Sequence, residues 1–474
     1  MNLENYKDIN ALSALTESNK FKKVFFYRIC GTGMGAAACL LKEAGFEVAG
    51  ADRMFYPPMS TYLDNSGIDV YKFEEHNIEE VIKDFDLIVV GNVVARNSDD
   101  AKFIEESGIP FCSFPAAIGA LVLKDKTVVG ISGTHGKTTT TYFGVQLFEK
   151  LGMEPGYLIG GVMDERPPAR VGRGDYFFIE SDEYDSAYFE KFSKFRSYYI
   201  NKLIITSLEF DHADIFESIE DIKNEFKAIL PSVDEVIACS EWKSINDLKV
   251  TDKSWSEYDR DNVKIINVDN GLTTFSMKCS LGDHEFKTNL MGHHNILNLA
   301  SVIIVALKAG KKPEEIQAGI LDLRMVQRRQ EVKGIYNESP IIDDFAHHPT
   351  AVLETLHAIS LKYPGKKIHA YLEPGSATAR SDLFQERFAD SLKQAASATI
   401  IKPSRPTTAK GQGDLDVDKL QSDLEKSGIR TNVVTELEPL ISLIKENSNG
   451  QSVQLVMSNS SCLGLWSSEF VKAL

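Results

Sequence analysis

The stretch Gly130-Ile-Ser-Gly133-Thr134-His135-Gly136-Lys137-Thr138-Thr139-Thr-Thr141 constrains the fold more than any other part of the chain. The run before it, Lys126 to Ser132, is apolar and β-branched and predicts a buried parallel strand. Thr138 to Leu151 predicts a helix closed by Gly152. A glycine-rich turn between strand and helix aims backbone N–H groups, and the positive end of the helix dipole, at one point. Gly133 and Gly136 permit close approach, Lys137 adds a mobile positive charge, and the Thr138 hydroxyl is placed for Mg²⁺. The stretch predicts a nucleoside triphosphate site. One detail departs from the usual P-loop spacing: Ile131, not glycine, stands five residues before Gly136.

A chain of 474 residues is too long for one core, and the motifs divide it into three layered α/β domains. The predicted division is an N-terminal extension over 1–22, then domains over 23–124, 125–323 and 324–474. The net charge of −16 argues against nucleic-acid binding, which needs a surplus of Lys and Arg. No apolar run approaches the roughly 20 residues of a membrane span. The polar N-terminus is unlike a secretory signal, and six scattered cysteines without a C-x-x-C pair fit reduced thiols. A cytoplasmic protein without a membrane or nucleic-acid partner is expected.

In the first domain, Lys23 to Cys30 predicts a strand, followed by Gly31-Thr32-Gly33-Met34-Gly35-Ala36 and a helix to about Ala44. A second strand from Glu47 ends at Asp52, and a third, Asp86 to Gly91, ends at Asn92. The pattern matches a dinucleotide fingerprint, but a tight turn at a helix N-terminus binds any diphosphate, that of a UDP-sugar included. Tyr56 to Ser60 predicts a loop, and Pro115 to about Lys126 a passage to the next domain.

In the second domain an apolar strand from Asp175 runs into Glu180-Ser-Asp182-Glu183-Tyr-Asp185. Crowded carboxylates repel unless a cation is shared, and Glu180, nearest the strand, is the predicted Mg²⁺ partner of Thr138. The strand Leu203 to Leu208 leads to Glu209-Phe-Asp211-His212, where the histidine suits a metal ligand, a base or a cap. Met291-Gly-His293-His294-Asn295 opens an apolar helix; Asn295 can read adenine and His294 can stack on it, and the same residues suit helix capping. In the third domain Arg324 to Gln330 is a basic cluster at a predicted hinge, with Arg328 and Arg329 as candidate triphosphate contacts. A strand from Pro340 ends at Asp343-Asp344-Phe-Ala-His347-His348-Pro349, and Lys410 to Val417 predicts a flexible loop.

Taken in order, Gly130 to Thr139, Glu180-Ser-Asp-Glu, Glu209-Phe-Asp-His212, His294-Asn295 and Asp343-Asp-Phe-Ala-His-His-Pro resemble the Mur ligase family from about residue 23 to the end. The departure at Ile131 is the family's own form. The resemblance implies a Rossmann-like UDP-binding domain, a central P-loop ATPase-type domain and a Rossmann-like C-terminal domain. It implies an ATP-dependent, Mg²⁺-requiring ligase that forms an amide bond through an acyl phosphate, as a monomer or weak homo-oligomer. By the same resemblance the UDP-sugar lies on Gly31, Thr32, Gly33, Met34 and Gly35 with Asp52 and Asn92. ATP lies on Gly133 to Thr139, with His294 and Asn295 on adenine, Asp344 on ribose and Arg329 on the phosphates. Mg²⁺ falls to Thr138, Glu180 and His212, and His348 faces the incoming amine beside the catalytic Lys137, Glu180 and His212.

Within the family, Tyr56-Pro-Pro-Met-Ser-Thr61 and Leu208-Glu-Phe-Asp-His-Ala-Asp-Ile-Phe216 are similar to the branch that joins UDP-N-acetylmuramate to L-Ala-γ-D-Glu-meso-diaminopimelate in peptidoglycan recycling. The alternative acceptor is L-alanine alone, in de novo peptidoglycan synthesis. That branch typically reads Glu-Pro-Arg-Ser-Asn-Thr where this chain has Glu373-Pro-Gly375-Ser376-Ala377-Thr378, so one carboxylate-binding fork is missing. The bridging carbamylated lysine of some members has no assigned counterpart: Phe226 aligns with it, with Lys223 and Lys227 nearby.

Overall fold

A computed structural model describes residues 21–474 except 58, 162, 164, 165, 251 and 252. Most of the predicted extension, residues 1–20, lies outside them, as do Pro58 and Val162.

Each apolar run followed by a polar turn becomes a strand that ends where the turn begins. Five strands form an all-parallel sheet in the order Asp69–Lys72, Glu47–Asp52, Lys23–Tyr27, Leu87–Val90, Phe111–Ser113. The middle of the chain forms a seven-stranded sheet in the order Ser254–Tyr258, Glu235–Cys239, Ile200–Ile205, Thr127–Ser132, Tyr176–Glu180, Gly156–Leu158, Ala169–Arg170. All of its pairings are parallel except the last. The C-terminal sheet runs Glu331–Tyr336, Ser339–Asp344, Ser452–Ser458, Lys367–Glu373, Ser397–Ile401, Arg430–Val434, with only the first strand antiparallel.

Register places the chemistry. Thr127–Ser132 lies between two parallel neighbours, with Ile131 opposite Glu180 and Ser132 opposite Ile205. The three chains therefore leave the sheet level with one another, at the carboxyl edge where ligands of parallel α/β sheets collect. The ladder extends past the strands: Ser181 N–H donates to the Ile131 carbonyl at 2.8 Å, and Thr206 N–H to that of Ser132 at 3.0 Å.

The helix Lys137–Lys150 packs on the central sheet beside His293–Lys308, and both belong to one apolar core. A second core joins one face of the first sheet to the central sheet, through helices Thr32–Glu43 and Phe114–Leu121. The C-terminal sheet has its own cores. All six cysteines are free thiols, and among the described residues no helix is long and apolar enough to cross a membrane.

The structure corrects several local expectations. Ser113 caps a helix over Phe114–Leu121, with Pro115 in its first turn, where a passage between domains was expected. Met59 opens the helix Met59–Asn65 in place of a loop, and its side chain fills the space left by Gly35, where a Cβ would meet its sulfur at 2.1 Å. An antiparallel sheet of Val263–Asp269, Leu272–Cys279 and Gly282–Thr288 has no counterpart among the predicted elements. The segment expected as a flexible loop from Lys410 is tied to the central domain, its N–H donating to the Ala213 carbonyl at 2.9 Å and its ammonium to that of Ile215 at 3.0 Å.

Gly144 sets how closely the helix Lys137–Lys150 approaches the sheet, since a Cβ there would meet the Phe178 ring at 2.5 Å. In Gly144→Ala the overpacking, about 1–3 kcal/mol, outweighs the roughly 1 kcal/mol that alanine gains in a helix. The urea midpoint is expected to fall, by an amount equivalent to about 1 kcal/mol.

Candidate active site

The turn Gly133–Gly136 is shaped by two backbone conformations that favour glycine, φ +133° at Gly133 and +84° at Gly136. Both positions are also crowded: a Cβ on Gly133 would meet the Thr206 hydroxyl at 2.5 Å, and one on Gly136 the Asn298 amide oxygen at 2.7 Å. Not every N–H of the turn is free for a ligand. That of Thr134 donates to the Ser207 carbonyl at 3.3 Å and that of His135 to the Ser207 hydroxyl at 2.8 Å. The free donors are those of Lys137, Thr138 and Thr139, which open the helix and have no intrahelical acceptor.

Lys137 reaches back over the turn, its ammonium donating to the Gly133 carbonyl at 2.7 Å and lying 3.5 Å from Glu183 and 3.8 Å from Asp182. Burial disfavours its charge, but Glu183, Asp182, Glu180 and Asp211 together raise its pKa above the usual lysine value. Behind it, the Thr138 hydroxyl donates to Glu180 Oε2 at 3.0 Å and the Gly160 N–H to Glu180 Oε1 at 2.8 Å. Burial and the nearby Asp182 push Glu180 up to about 7 despite these bonds. Asp182 is held well below the ordinary range against its burial by Lys194, 3.1 Å away, and Lys137. His212, at φ +55°, lies 3.7 Å from Glu183. Asp211 is held low against its burial by His212, His347 and His348. Thr138 and Glu180 offer hard oxygen donors side by side, and the surplus of carboxylates around one lysine calls for a further cation; the set fits Mg²⁺.

A cavity of about 640 Å³ joins this edge to the C-terminal domain. Its walls include Thr134, His135, Gly136, Lys137, Thr138 and Thr139, with His212, His294, Asn295, Arg329, Asp344 and His348. Residues predicted from five separate stretches thus face one space. His294 Nδ1 lies 3.7 Å from Glu354, which Arg260 also binds at 2.7 Å. Asn295 donates to the Met291 carbonyl at 2.8 Å, and Asp344 accepts from the N–H groups of Gln330 at 2.9 Å and Ala346 at 2.8 Å. Arg329 stacks over Phe345 at 4.9 Å, and burial lowers its pKa. Arg328 is engaged elsewhere, with Asp343 at 3.2 Å and the Ser458 carbonyl at 2.7 Å.

The turn at Gly31 is not part of this cavity. Gly31 and Thr32 are exposed at the start of Thr32–Glu43, Gly33 faces Phe114 at 3.2 Å from where a Cβ would stand, and Met34 and Gly35 are buried. Asp52 accepts from the Cys30 N–H, just before Gly31, at 2.8 Å, and Asn92 is exposed just past Leu87–Val90. Phe226 is buried against Phe195, and Lys223 pairs with Glu220 and Asp247 at 2.7 Å, so neither enters the carboxylate cluster.

Three contributors have no predicted role: Lys194, Glu354 and Glu209. Glu209 binds His135 at 3.0 Å and Arg387 at 2.7 Å, linking the turn to the C-terminal domain. Glu209 and Glu354 lie far in sequence from their partners, and periodicity carries no signal for such pairs. The Glu209 backbone signals its position better, since its N–H donates to the Thr134 hydroxyl at 2.8 Å.

Glu180 yields a pH prediction. With a folded pKa of about 7 and an unfolded value of 4.5, the native state holds more protons than the unfolded state between those limits. Stability of the metal-free protein therefore falls as pH rises from about 4.5 to about 7, by roughly 1–3 kcal/mol from this group, and is flat above. In Glu180→Gln the fall is lost, and in the unsubstituted protein millimolar Mg²⁺ opposes it; thermal melts across pH measure both.

The comparisons with known proteins cover most of the chain. Residues 23–126 match the family model "Mur ligase family, catalytic domain", residues 131–306 "Mur ligase middle domain" and residues 328–460 "Mur ligase, glutamate ligase domain". The UDP-N-acetylmuramate–L-alanyl-γ-D-glutamyl-meso-2,6-diaminoheptandioate ligase of Escherichia coli is 35% identical over 396 residues, 81% of this chain and 85% of that protein. The UDP-N-acetylmuramate–L-alanine ligase of Acetivibrio thermocellus is 29% identical, covering 94% of each chain. The crystal structure of a murein peptide ligase from Psychrobacter arcticus superposes with a TM-score of 0.64 at 26% identity, over 94% of this chain and 97% of that one. The chain belongs to the Mur ligase family.

Proposed function

We propose that the protein is an ATP-dependent ligase that joins the lactyl carboxyl group of UDP-N-acetylmuramate to the amine of the tripeptide L-Ala-γ-D-Glu-meso-diaminopimelate. The observation that carries this reading is the meeting of Lys137, Thr138, His212, Asp344 and His348 in one cavity, in a chain 35% identical to a ligase named for that acceptor.

In this reading a lactyl carboxylate oxygen attacks the γ-phosphorus of ATP, the bond to ADP breaks, and an acyl phosphate forms. The amine nitrogen then attacks the acyl carbon, inorganic phosphate leaves, and the amine loses a proton. Lys137 and the N–H groups of Lys137, Thr138 and Thr139 neutralise charge on the transferring phosphoryl group. Mg²⁺, held by Thr138 and Glu180 with His212 close by, supplies charge neutralisation on the phosphates when bound. Asn295 and His294 hold adenine, Asp344 the ribose, and Arg329 the phosphates from the C-terminal side. Burial and the neighbouring His135 keep His348 well below the ordinary histidine pKa, so it faces the incoming amine as a neutral imidazole. The UDP moiety lies on the Gly31–Gly35 turn with Asp52 and Asn92, directing the lactyl end toward Lys137. Since the ATP contacts come from two domains, their closure excludes water from the acyl phosphate.

The acceptor end carries this chain's departure. Gly375 admits no side chain without movement, because a Cβ would meet Asn459 Oδ1 at 2.2 Å. The cation of that loop is Arg380, whose guanidinium donates to the Gly375 carbonyl. The third residue of the peptide is therefore the variable to test.

With UDP-N-acetylmuramate, ATP and Mg²⁺, the expected product by mass is the tripeptide adduct, formed in preference to the L-alanine adduct. Tripeptides ending in meso-diaminopimelate and in L-lysine rank the terminal residue. Exclusive use of L-alanine would refute the acceptor assignment and leave the chemistry standing. Lys137→Ala is expected to lower kcat by about 10²-fold or more; ATP turnover at the normal rate would sink the phosphate assignment.

A further inference from the structure

Three donors from separate segments meet where the central and C-terminal domains touch. His135 lies in the Gly133–Gly136 turn, Glu209 follows the strand Ile200–Ile205, and His348 precedes the helix Pro349–Lys362. One ligand atom from each lies within 4.8 Å of the other two. His135 Nε2 is 3.0 Å from Glu209 Oε2, His348 Nδ1 is 3.7 Å from the same oxygen, and the ring centroids are 4.5 Å apart. None of the three belongs to the Thr138, Glu180 and His212 set.

The donor chemistry differs from that of Mg²⁺, which takes oxygen ligands; two imidazoles and a carboxylate suit zinc-class ions. The surroundings resemble a supported site. The second Glu209 oxygen, Oε1, accepts from Arg387 Nη2 at 2.7 Å, which fixes the carboxylate and leaves Oε2 turned to the histidines. The His348 side chain is 2% exposed, its ring packed on Phe384 at 4.5 Å, and its Nε2 has no hydrogen-bond partner among the described residues. Its Nδ1 accepts a long bond, 3.3 Å, from the Thr350 N–H.

We infer that His135, Glu209 and His348 form a site for one zinc-class divalent ion that bridges the central and C-terminal domains. Two ligands come from the central domain and one from the C-terminal domain, so the complete site exists only with the domains in contact. An ion bound there favours that arrangement in proportion to its preference for it.

Calorimetry of the full chain with Zn²⁺, in excess Mg²⁺ to occupy the oxygen-rich site, is expected to show one equivalent bound. Co²⁺ should give visible absorption bands of mixed nitrogen and oxygen coordination, and small-angle scattering a smaller radius of gyration with Zn²⁺ than without. Glu209→Gln and His348→Gln are each expected to weaken binding by at least about tenfold. His212→Gln and Cys279→Ser are expected to retain it. Thermal melts identify any variant that fails to fold, and His135→Gln decides in its place. Absence of Zn²⁺ binding, binding unchanged in the folded ligand variants, or its loss in His212→Gln or Cys279→Ser would overturn the site.

Discussion

Everything at the active edge depends on the pairing of Thr127–Ser132 with a parallel strand on each side. The register sends the glycine turn, the acidic segment from Glu180 and the segment from Thr206 out of the sheet at one level. Hydrogen bonds from Ser181 and Thr206 back to Ile131 and Ser132 then hold the loop starts. A slip in a parallel sheet would not merely shift these loops. It would also turn side chains to the opposite face, exposing apolar positions that two helical layers bury. The core thus enforces the alignment of loops that contribute little to it, which is how a mobile-looking turn comes to have fixed geometry.

That alignment has an electrostatic cost. Glu180, Asp182, Glu183 and Asp211 converge on Lys137, and Asp182 has a second ammonium group, Lys194, within ion-pair distance. The outcome differs by neighbour: Asp182 is held low between two ammonium groups, whereas Glu180, which accepts from Thr138 and Gly160, rises to about 7. Such divergence within one cluster is a common property of sites that bind cations or phosphate, since the ligand restores the missing charge balance. The frame is accordingly strained when empty in the sense of charge, not of backbone.

How much of this was legible in the sequence follows from the range of the interactions involved. The strand Thr127–Ser132 is legible because its β-branched run abuts glycines, and Glu180 because an apolar run ends on it. Those signals are local. The antiparallel strands over 263–288 alternate weakly, with exposed Ile266 on one of them, and gave no comparable signal. Phe114–Leu121 was hidden for the opposite reason: buried almost throughout, it has no polar face to mark a helix. The partners of His135, Arg387 and His294 are not legible at all, because ion pairs across 60 or more residues leave no pattern in spacing.

The contact between domains was the least readable part, and it decides what the cavity can do. The central domain meets the C-terminal domain through polar contacts that include Ala213, whose N–H donates to the Thr378 hydroxyl at 3.1 Å and whose carbonyl accepts from the Lys410 N–H, and the Glu209–Arg387 and Arg260–Glu354 pairs. Such bonds are worth about 1 kcal/mol each, so they can be exchanged for contacts to a ligand. A large apolar interface would lock the two sheets and leave no route for substrate. A weak polar one allows the cavity wall from Asp344 to His348 to leave and return, and the energy for closing comes from whatever fills the space between.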